Sequence, residues 1–397
     1  MINDNAIEVE KLLDETHAFA DGYLKPVGLE LDAFSDPEEM INAQTPLRAL
    51  FQEAFLRGYH KVLLPREVGG KGLSGVERQA LLEELGRGSA GLAMSLFLAG
   101  LPFKELAVSG QQDSICELAG QFAADRDGSM IGCWAVTEPH HGSDAIFIGS
   151  ADSRQPGFVS QETTGRATDG GYILNGEKGP WVSNGPLATH ALVSFNVEGS
   201  EGGREIAVVP LGSPGVDRGR PVPKLGQRDL AQSALSFHDV SIERRFSITG
   251  TEGYERALER IQSEIFCALA AVASGLARSA LEETVSHVHS RRQGGARLSE
   301  HQAVRQQIFE LFTRVEAARA MSRRAVEQAP QAQLTRSVAA KVFCTETAFS
   351  VVNDGMRLFG GVADNQLIAK LFRDARVMWA EHGSNDTLRL AGAARIL

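Results

Sequence analysis

Cysteine is scarce in this chain, with four among 397 residues at Cys116, Cys133, Cys267 and Cys344. They form no CxxC pair and stand at no ligand-like spacing to a histidine, which excludes a disulfide scaffold and a zinc ribbon and leaves reduced, structural thiols as the expectation. Long apolar runs are also missing. The longest, Ile265 to Ala277, is broken by Ser274 and Gly275 and falls short of the ~20 residues that cross a bilayer, so it reads as a buried helix and no membrane span is expected. A basic surplus is absent too: the formal charge is -10, which argues against a nucleic-acid binder that must display a cationic stripe. The first residues, MINDNAIEVEKLLDE, are acidic and lack the basic and apolar regions of a secretory signal, so the cytoplasm is the expected address.

What is present is ordinary globular composition, 43% apolar and 23% charged, in a chain longer than the roughly 250 to 300 residues at which one core stops growing. From Ala6 to about Asp125 apolar residues recur at three and four positions, as in VEKLLDETHAFADGYL, a helical period. Near Ser129 the texture changes to short β-branched or alternating runs (SMIGCWAVTEP, GYILNG, THALVSFNV, REIAVVPL, SALSFHDVSI), which predict strands closing around Ile242, with NVEGSEGGRE as a hairpin loop. Helical period returns from Tyr254 to about Arg291, from Ser299 to about Glu327, from Leu334 to Phe359, and in shorter pieces over Leu367 to Trp379 and Ser384 to Ile396. The expectation is an α+β protein in three parts: an all-α domain over 1–128, a β-barrel-like middle domain over 129–246, and a four-helix bundle over 247–397. Small residues between Ala268 and Ala277 suit close helix packing in that bundle.

Aromatic residues make up only 7% of the chain, so two tryptophans beside turns stand out. WAVTEPHHGSDA carries Trp134 with Val136, Thr137 and Ser143, and NGEKGPWVSNG carries Trp181 with Ser183. His140 and His141 are adjacent and would point opposite ways in a strand, and nothing nearby completes a metal set, so no metal is expected. Strand ends that each offer an aromatic, a hydroxyl and free backbone groups suit a planar heterocycle.

These segments resemble the acyl-CoA dehydrogenase family. VTEPHHGSD is similar to its first signature, GEKGPWVSNG to its second flavin-contacting segment, and KLGQRDLAQSALSFHDVSI to its domain-closing strands. SRRQGGARLSEHQAVRQQIFEL, GMRLFGG and KLFRDARVMWAEHGSNDTLRL follow in the same order, so the likeness spans nearly the whole chain. It implies the same α, β, α fold, FAD held between the last two domains and across a subunit contact, and a homodimer or homotetramer. It implies an acyl-CoA or acyl-carrier thioester as substrate, with electron-transfer flavoprotein or oxygen as the electron acceptor. Carried over, Trp134, Val136, Thr137 and Ser143 line the flavin and Trp181 with Ser183 covers its other side. Arg291 faces the pyrophosphate, where a fixed cationic fork is apt, and Gln293, His301, Gln302, Arg357, Gly360, Gly361, Ser384 and Asp386 complete the cofactor set. Ser143, Phe97 and His140 are the expected substrate contacts, Phe97 because the helix Gly91 to Phe103 matches the wall of the acyl pocket.

The family's α-proton is taken by a Glu directly before a glycine. Counting six residues from Arg376 to Gly383 puts His382 in that place, with Glu381 beside it. A second family solution puts the Glu early in the first long C-terminal helix, where Ile265 falls in the slot and Glu264 is its neighbour. Glu381, His382 and Glu264 are therefore all candidates for the base. Gly294 and Phe266 also depart from the usual aromatic and Arg. The expected reaction is α,β-dehydrogenation of the thioester; an oxygen-using oxidase or monooxygenase, an elimination without net oxidation, and a non-catalytic flavoprotein scaffold stay open.

Overall fold

The computed structural model describes residues 4–42, 44–109, 114–143, 161–200, 203–249, 253–327, 334–361 and 366–397. The N-terminal part contains α1 (Asp4–Phe19), which runs through a π-helical turn into α2 (Lys25–Asp32), then α3 (Pro37–Met40), α4 (Pro46–Leu56), α5 (Gly75–Gly88), α6 (Ala90–Val108) and α7 (Ser114–Ala124). Local chemistry sets the boundaries. α5 starts at a capping box in which the Ser74 backbone N–H donates to Glu77 Oε2 at 2.7 Å and the Glu77 N–H donates to Ser74 Oγ at 3.3 Å, satisfying donors that the first helical turn leaves free. Every residue of α6 from Ala90 to Leu106 is buried, as an all-round apolar helix requires.

The middle part is a curled sheet of β1 (Gly132–Ala135), β2 (Thr164–Thr168), β3 (Gly171–Ser183), β4 (His190–Val197), β5 (Arg204–Pro210), β6 (Val216–Arg218) and β7 (Gln232–Glu243). The strand order is β1-β4-β2-β3-β7-β6, with β5 on β4. The runs expected as strands supply β1, β3, β4, β5 and β7. β2 and β6 are additions, and β1 stops at Ala135 rather than running on to Pro139. The β3–β7 register shifts between Lys178 and Val182, a bulge that re-aims the end of β3. KLGQRDLA is not a strand: β7 begins at the next residue, Gln232, and the residues before it form a loop that leaves the sheet and reaches the C-terminal helices.

That last part comprises α8 (Tyr254–Ser290), a hairpin of β8 (Arg292–Gln293) and β9 (Ala296–Arg297), then α9 (Gln302–Glu327), α10 (Leu334–Met356), α11 (Gln366–Val377) and α12 (Asn385–Ile396). α8 is the central pillar, packed on α10, α9 and α5. Its crossing with α5 is made at two glycines. A Cβ on Gly275 would lie 2.0 Å from the Glu83 carbonyl oxygen, and one on Gly86 would lie 2.6 Å from the Val272 backbone, so the two backbones touch where neither residue has a side chain. α6 and α8 are long and apolar enough to cross a bilayer, yet 89% and 83% of their apolar windows are buried inside the fold, as core helices are. Cys133, Cys267 and Cys344 are free and buried; the Cys116 side chain lies outside the described residues.

Candidate active site

Between the sheet and the bundle lies a cavity of about 650 Å³. Trp134, Val136, Thr137 and Ser143 reach it from β1 and the turn after it, and Trp181 and Ser183 from the end of β3. The loop from Pro223 to Gln227 forms one wall, Gln262 and Phe266 of α8 a second, and the segment Arg376 to Gly383 a third.

The turn after β1 is held by a buried ion pair. Lys178 Nζ lies 2.7 Å from Glu138 Oε1, with both side chains fully buried. The same carboxylate accepts backbone N–H bonds from Glu162 at 2.6 Å and Thr163 at 3.1 Å. These partners hold the Glu138 carboxyl below its usual range against the opposing effect of burial. Paired backbone bonds between Glu138 and His141 close the turn, and the Gly179 N–H donates to the Thr137 carbonyl at 2.8 Å. One consequence is that His141 is buried while His140 is exposed and outside the cavity wall. His140 as a substrate contact is therefore corrected: the turn sends it to solvent. Asp144 and Ala145, which end the same sequence run, lie outside the described residues.

Opposite that turn, Lys341 on α10 organises the segment after α11. Its Nζ donates to the carbonyls of Trp379 at 3.3 Å and Gly383 at 2.9 Å and to Asn385 Oδ1 at 2.7 Å. Three carbonyl-type acceptors around a buried ammonium, depressed by burial to about 7, fix the loop. The Ser384 N–H donates to Ser143 Oγ at 2.9 Å, tying the loop to the β1 turn. His382 adopts φ +50°, uncommon for a residue with a Cβ. Its ring stacks on Trp134 with centroids 5.8 Å apart and planes 17° apart.

Both Glu381 and His382 thus line the cavity, in opposite electrostatic situations. Burial raises the Glu381 carboxyl above its usual value, offset in part by its bond from Gln227 and by the Lys224 and Lys341 charges. Gln227 Nε2 donates to Glu381 Oε2 at 2.8 Å, and Oε1 has no hydrogen-bond partner among the described residues. Burial, with Lys341 adding to it, lowers His382 to about 4. A raised carboxylate is the better proton acceptor near neutral pH, since base strength follows pKa.

Glu264 is brought elsewhere. It lines a second cavity of about 370 Å³ with Phe97, and pairs with Lys104 at 2.6 Å and Arg78 at 3.1 Å. Helical geometry gives the reason: each residue turns the face by about 100°, so Glu264 points roughly 200° away from Gln262, which with Phe266 faces the first cavity. The structure therefore corrects the reading of Glu264 as the base, and it places Phe97, expected as a substrate contact, on the second cavity and not on the wall of the first. Glu264→Gln is expected to leave the rate of flavin reduction within about twofold of the parent while costing roughly 1 to 3 kcal/mol through the lost ion pairs with Lys104 and Arg78. Stopped-flow reduction and thermal unfolding of the one variant measure both.

The remaining expected cofactor residues form a separate exposed group. Arg291, Gln293, Gln302, Arg357, Gly360 and Gly361 are exposed and His301 is half-buried. His301 Nε2 lies 3.0 Å from the Gln293 carbonyl, and the His287 ring, on the last turn of α8, stacks on Phe359 at 4.1 Å, which brings that end of α8 to the segment after α10. None of them lines the 650 Å³ cavity. Ser384 is at its edge through Ser143, and Asp386 is exposed and paired with Arg389 at 2.9 Å. Gln227, Lys224 and Gln262 were missed as site residues. The signal available for the first two was a loop-like PKLGQ interrupted by glycine, read instead as strand.

Three comparisons with known proteins bear on this cavity. The chain matches the family models described as acyl-CoA dehydrogenase N-terminal, middle and C-terminal domains over residues 7–113, 133–240 and 251–397. It is 30% identical over 354 residues to 3-sulfinopropanoyl-CoA desulfinase of Advenella mimigardefordensis, covering 86% of this chain and 83% of that one.

The chain belongs to the acyl-CoA dehydrogenase family.

Another member, benzylmalonyl-CoA dehydrogenase of Aromatoleum aromaticum, is 29% identical over 394 residues, 98% of this chain and 97% of its own. Butyryl-CoA dehydrogenase of Megasphaera elsdenii has the same fold, with a TM-score of 0.82 at 22% identity, covering 98% of this chain and 97% of that one. As a member of this family the protein is an FAD enzyme that acts on acyl-CoA thioesters. Its residues fit that cofactor: Trp134 Nε1 is a buried donor without a partner among the described residues, Trp181 stands 56% exposed at the cavity rim, and Thr137, Ser143 and Ser183 offer hydroxyls along the same wall.

Proposed function

We propose that Glu381 is the base of an acyl-CoA α,β-dehydrogenation carried out in the 650 Å³ cavity. The observation that carries this reading is a carboxylate on the cavity wall with one oxygen held by Gln227 and the other without a partner among the described residues. When bound, FAD supplies the two-electron acceptor for the hydride that leaves the β-carbon. Trp134, Val136, Thr137, Ser143, Trp181 and Ser183 would hold its ring system. Glu381 Oε1 takes the α-proton, and the tryptophans and Phe266 keep water from the thioester. His382 shapes the pocket by stacking on Trp134 and, neutral at working pH, adds no charge beside the carboxylate.

Arg291, Gln293, Gln302, Arg357, Gly360 and Gly361 are exposed and His301 half-buried, which suits contact with cofactor and chain in a second copy, so the working unit is a homodimer or a larger assembly. The purified flavoprotein mixed anaerobically with a series of saturated acyl-CoAs is expected to lose its oxidised-flavin absorbance and yield the matching 2-enoyl-CoA. Product formed without bleaching supports elimination instead; an oxygenated product formed only after air is admitted supports a monooxygenase.

A further inference from the structure

The loop between Gly219 and β7 does more than close the sheet. Gln227 is one of the described non-glycine residues in the left-handed region, at φ +47°, a conformation that costs energy unless its surroundings enforce it. The enforcement is visible. The Gln227 backbone N–H donates to Asp374 Oδ1 at 2.5 Å, and Asp374 pairs through Oδ2 with Lys370 at 2.5 Å. Lys370 also pairs with Asp229 at 3.1 Å, and Ser89, the N-cap of α6, donates to Asp229. A buried chain of charged hydrogen bonds therefore runs from the N-terminal helices through the loop to α11, and its terminal donor is the Gln227 amide on Glu381 Oε2 at 2.8 Å.

We propose that Gln227 is a positioning residue for the base: it occupies Glu381 Oε2 so that Oε1 is the oxygen presented to the thioester. This assignment rests on the dehydrogenation reading above. It also accounts for a base one residue earlier than the family pattern, because the positive φ of His382 turns the backbone and Gln227 catches the carboxylate that results. The charged groups facing Glu381 come from three elements: Lys224 on the same loop, Lys341 on α10 and Asp374 on α11, the first two favouring the carboxylate and the last opposing it. A neutral donor on one oxygen favours the ionised form as well, so removing it raises the pH at which the base becomes active.

The test is the pH profile of anaerobic flavin reduction in the holoenzyme. Gln227→Leu is expected to move the apparent pKa of the rising limb up by about one unit and to slow reduction about tenfold at neutral pH. The isosteric Gln227→Glu, which places a like charge on the carboxylate, is expected to move it further in the same direction. Affinity for crotonyl-CoA, a product-type thioester that cannot be dehydrogenated in this way, is expected to stay within about threefold, read from the perturbed spectrum of the oxidised flavin. Rates that fall equally at every pH with an unmoved pKa would overturn the assignment, as would a Gln227→Glu profile that matches the parent. The two proposals fail separately: a Glu381→Gln protein that still reduces flavin normally removes the base, whereas an inactive Glu381→Gln protein with an unshifted Gln227→Leu profile removes only the positioning role.

Discussion

Glu381→Gln is expected to slow anaerobic flavin reduction by about 10³-fold, within the range that a positioned general base contributes, while the protein keeps its fold and its bound cofactor. The substitution is isosteric, and the amide can keep a hydrogen bond to Gln227, so what is removed is the proton acceptor alone. His382→Gln is expected to stay within about tenfold of the parent: a ring lowered to about 4 by burial is neutral at pH 7 but too weak a base to accept the proton efficiently. Single-turnover loss of oxidised-flavin absorbance distinguishes the two variants. A Glu381→Gln protein within tenfold of the parent would rule out this carboxylate. The parent profile follows from the same groups. Its rate is expected to rise with pH through the raised Glu381 value and then to level, with no falling limb from His382, which is already neutral over the whole range.

Why the two neighbours could not be separated from sequence is a matter of backbone angles. Counting residues from Arg376 places His382 in the base position. What it could not carry is that His382 sits at φ +50° and Gly383 at φ +107°, so the preceding side chain also reaches the cavity. The tryptophan and hydroxyl pattern at the ends of β1 and β3 was readable because strand ends beside turns announce themselves through Gly, Pro and Asn. The long period of α8 was readable too, but not its rotation. Gln262, Glu264 and Phe266 share one amphipathic run, and only packing against α5 and α6 decides that Glu264 meets Lys104 and Arg78 rather than the flavin wall. Gln227 was invisible for a different reason: its role depends on Asp374, 147 residues away, and no local pattern encodes that contact.

Lys178→Met is the substitution expected to damage the molecule most. It leaves the Glu138 carboxylate buried with its charge uncompensated, and breaking a buried pair from one side costs about 3 to 5 kcal/mol. The loss falls on the site, because Glu138 anchors the turn that carries Thr137 and Ser143 into the cavity, and Gly179 next to Lys178 holds the Thr137 carbonyl. Both unfolding temperature and FAD retained through gel filtration are therefore expected to fall together. In the parent, Glu138 lies below its ordinary 4.5 when folded. The stabilisation from its ionised form is thus complete above about pH 4.5 and is lost as the pH falls through the lower folded-state value. In Lys178→Met the dependence is expected to reverse, with the variant gaining stability relative to the parent as acid neutralises the orphaned carboxylate. Adding Glu138→Gln to Lys178→Met is expected to recover much of the loss near neutral pH, since a neutral amide can still accept the Thr163 N–H bond and carries no uncompensated charge. A single variant that unfolds within about 0.5 kcal/mol of the parent, a difference typical of substitutions away from such features, would show that the pair does not hold the turn.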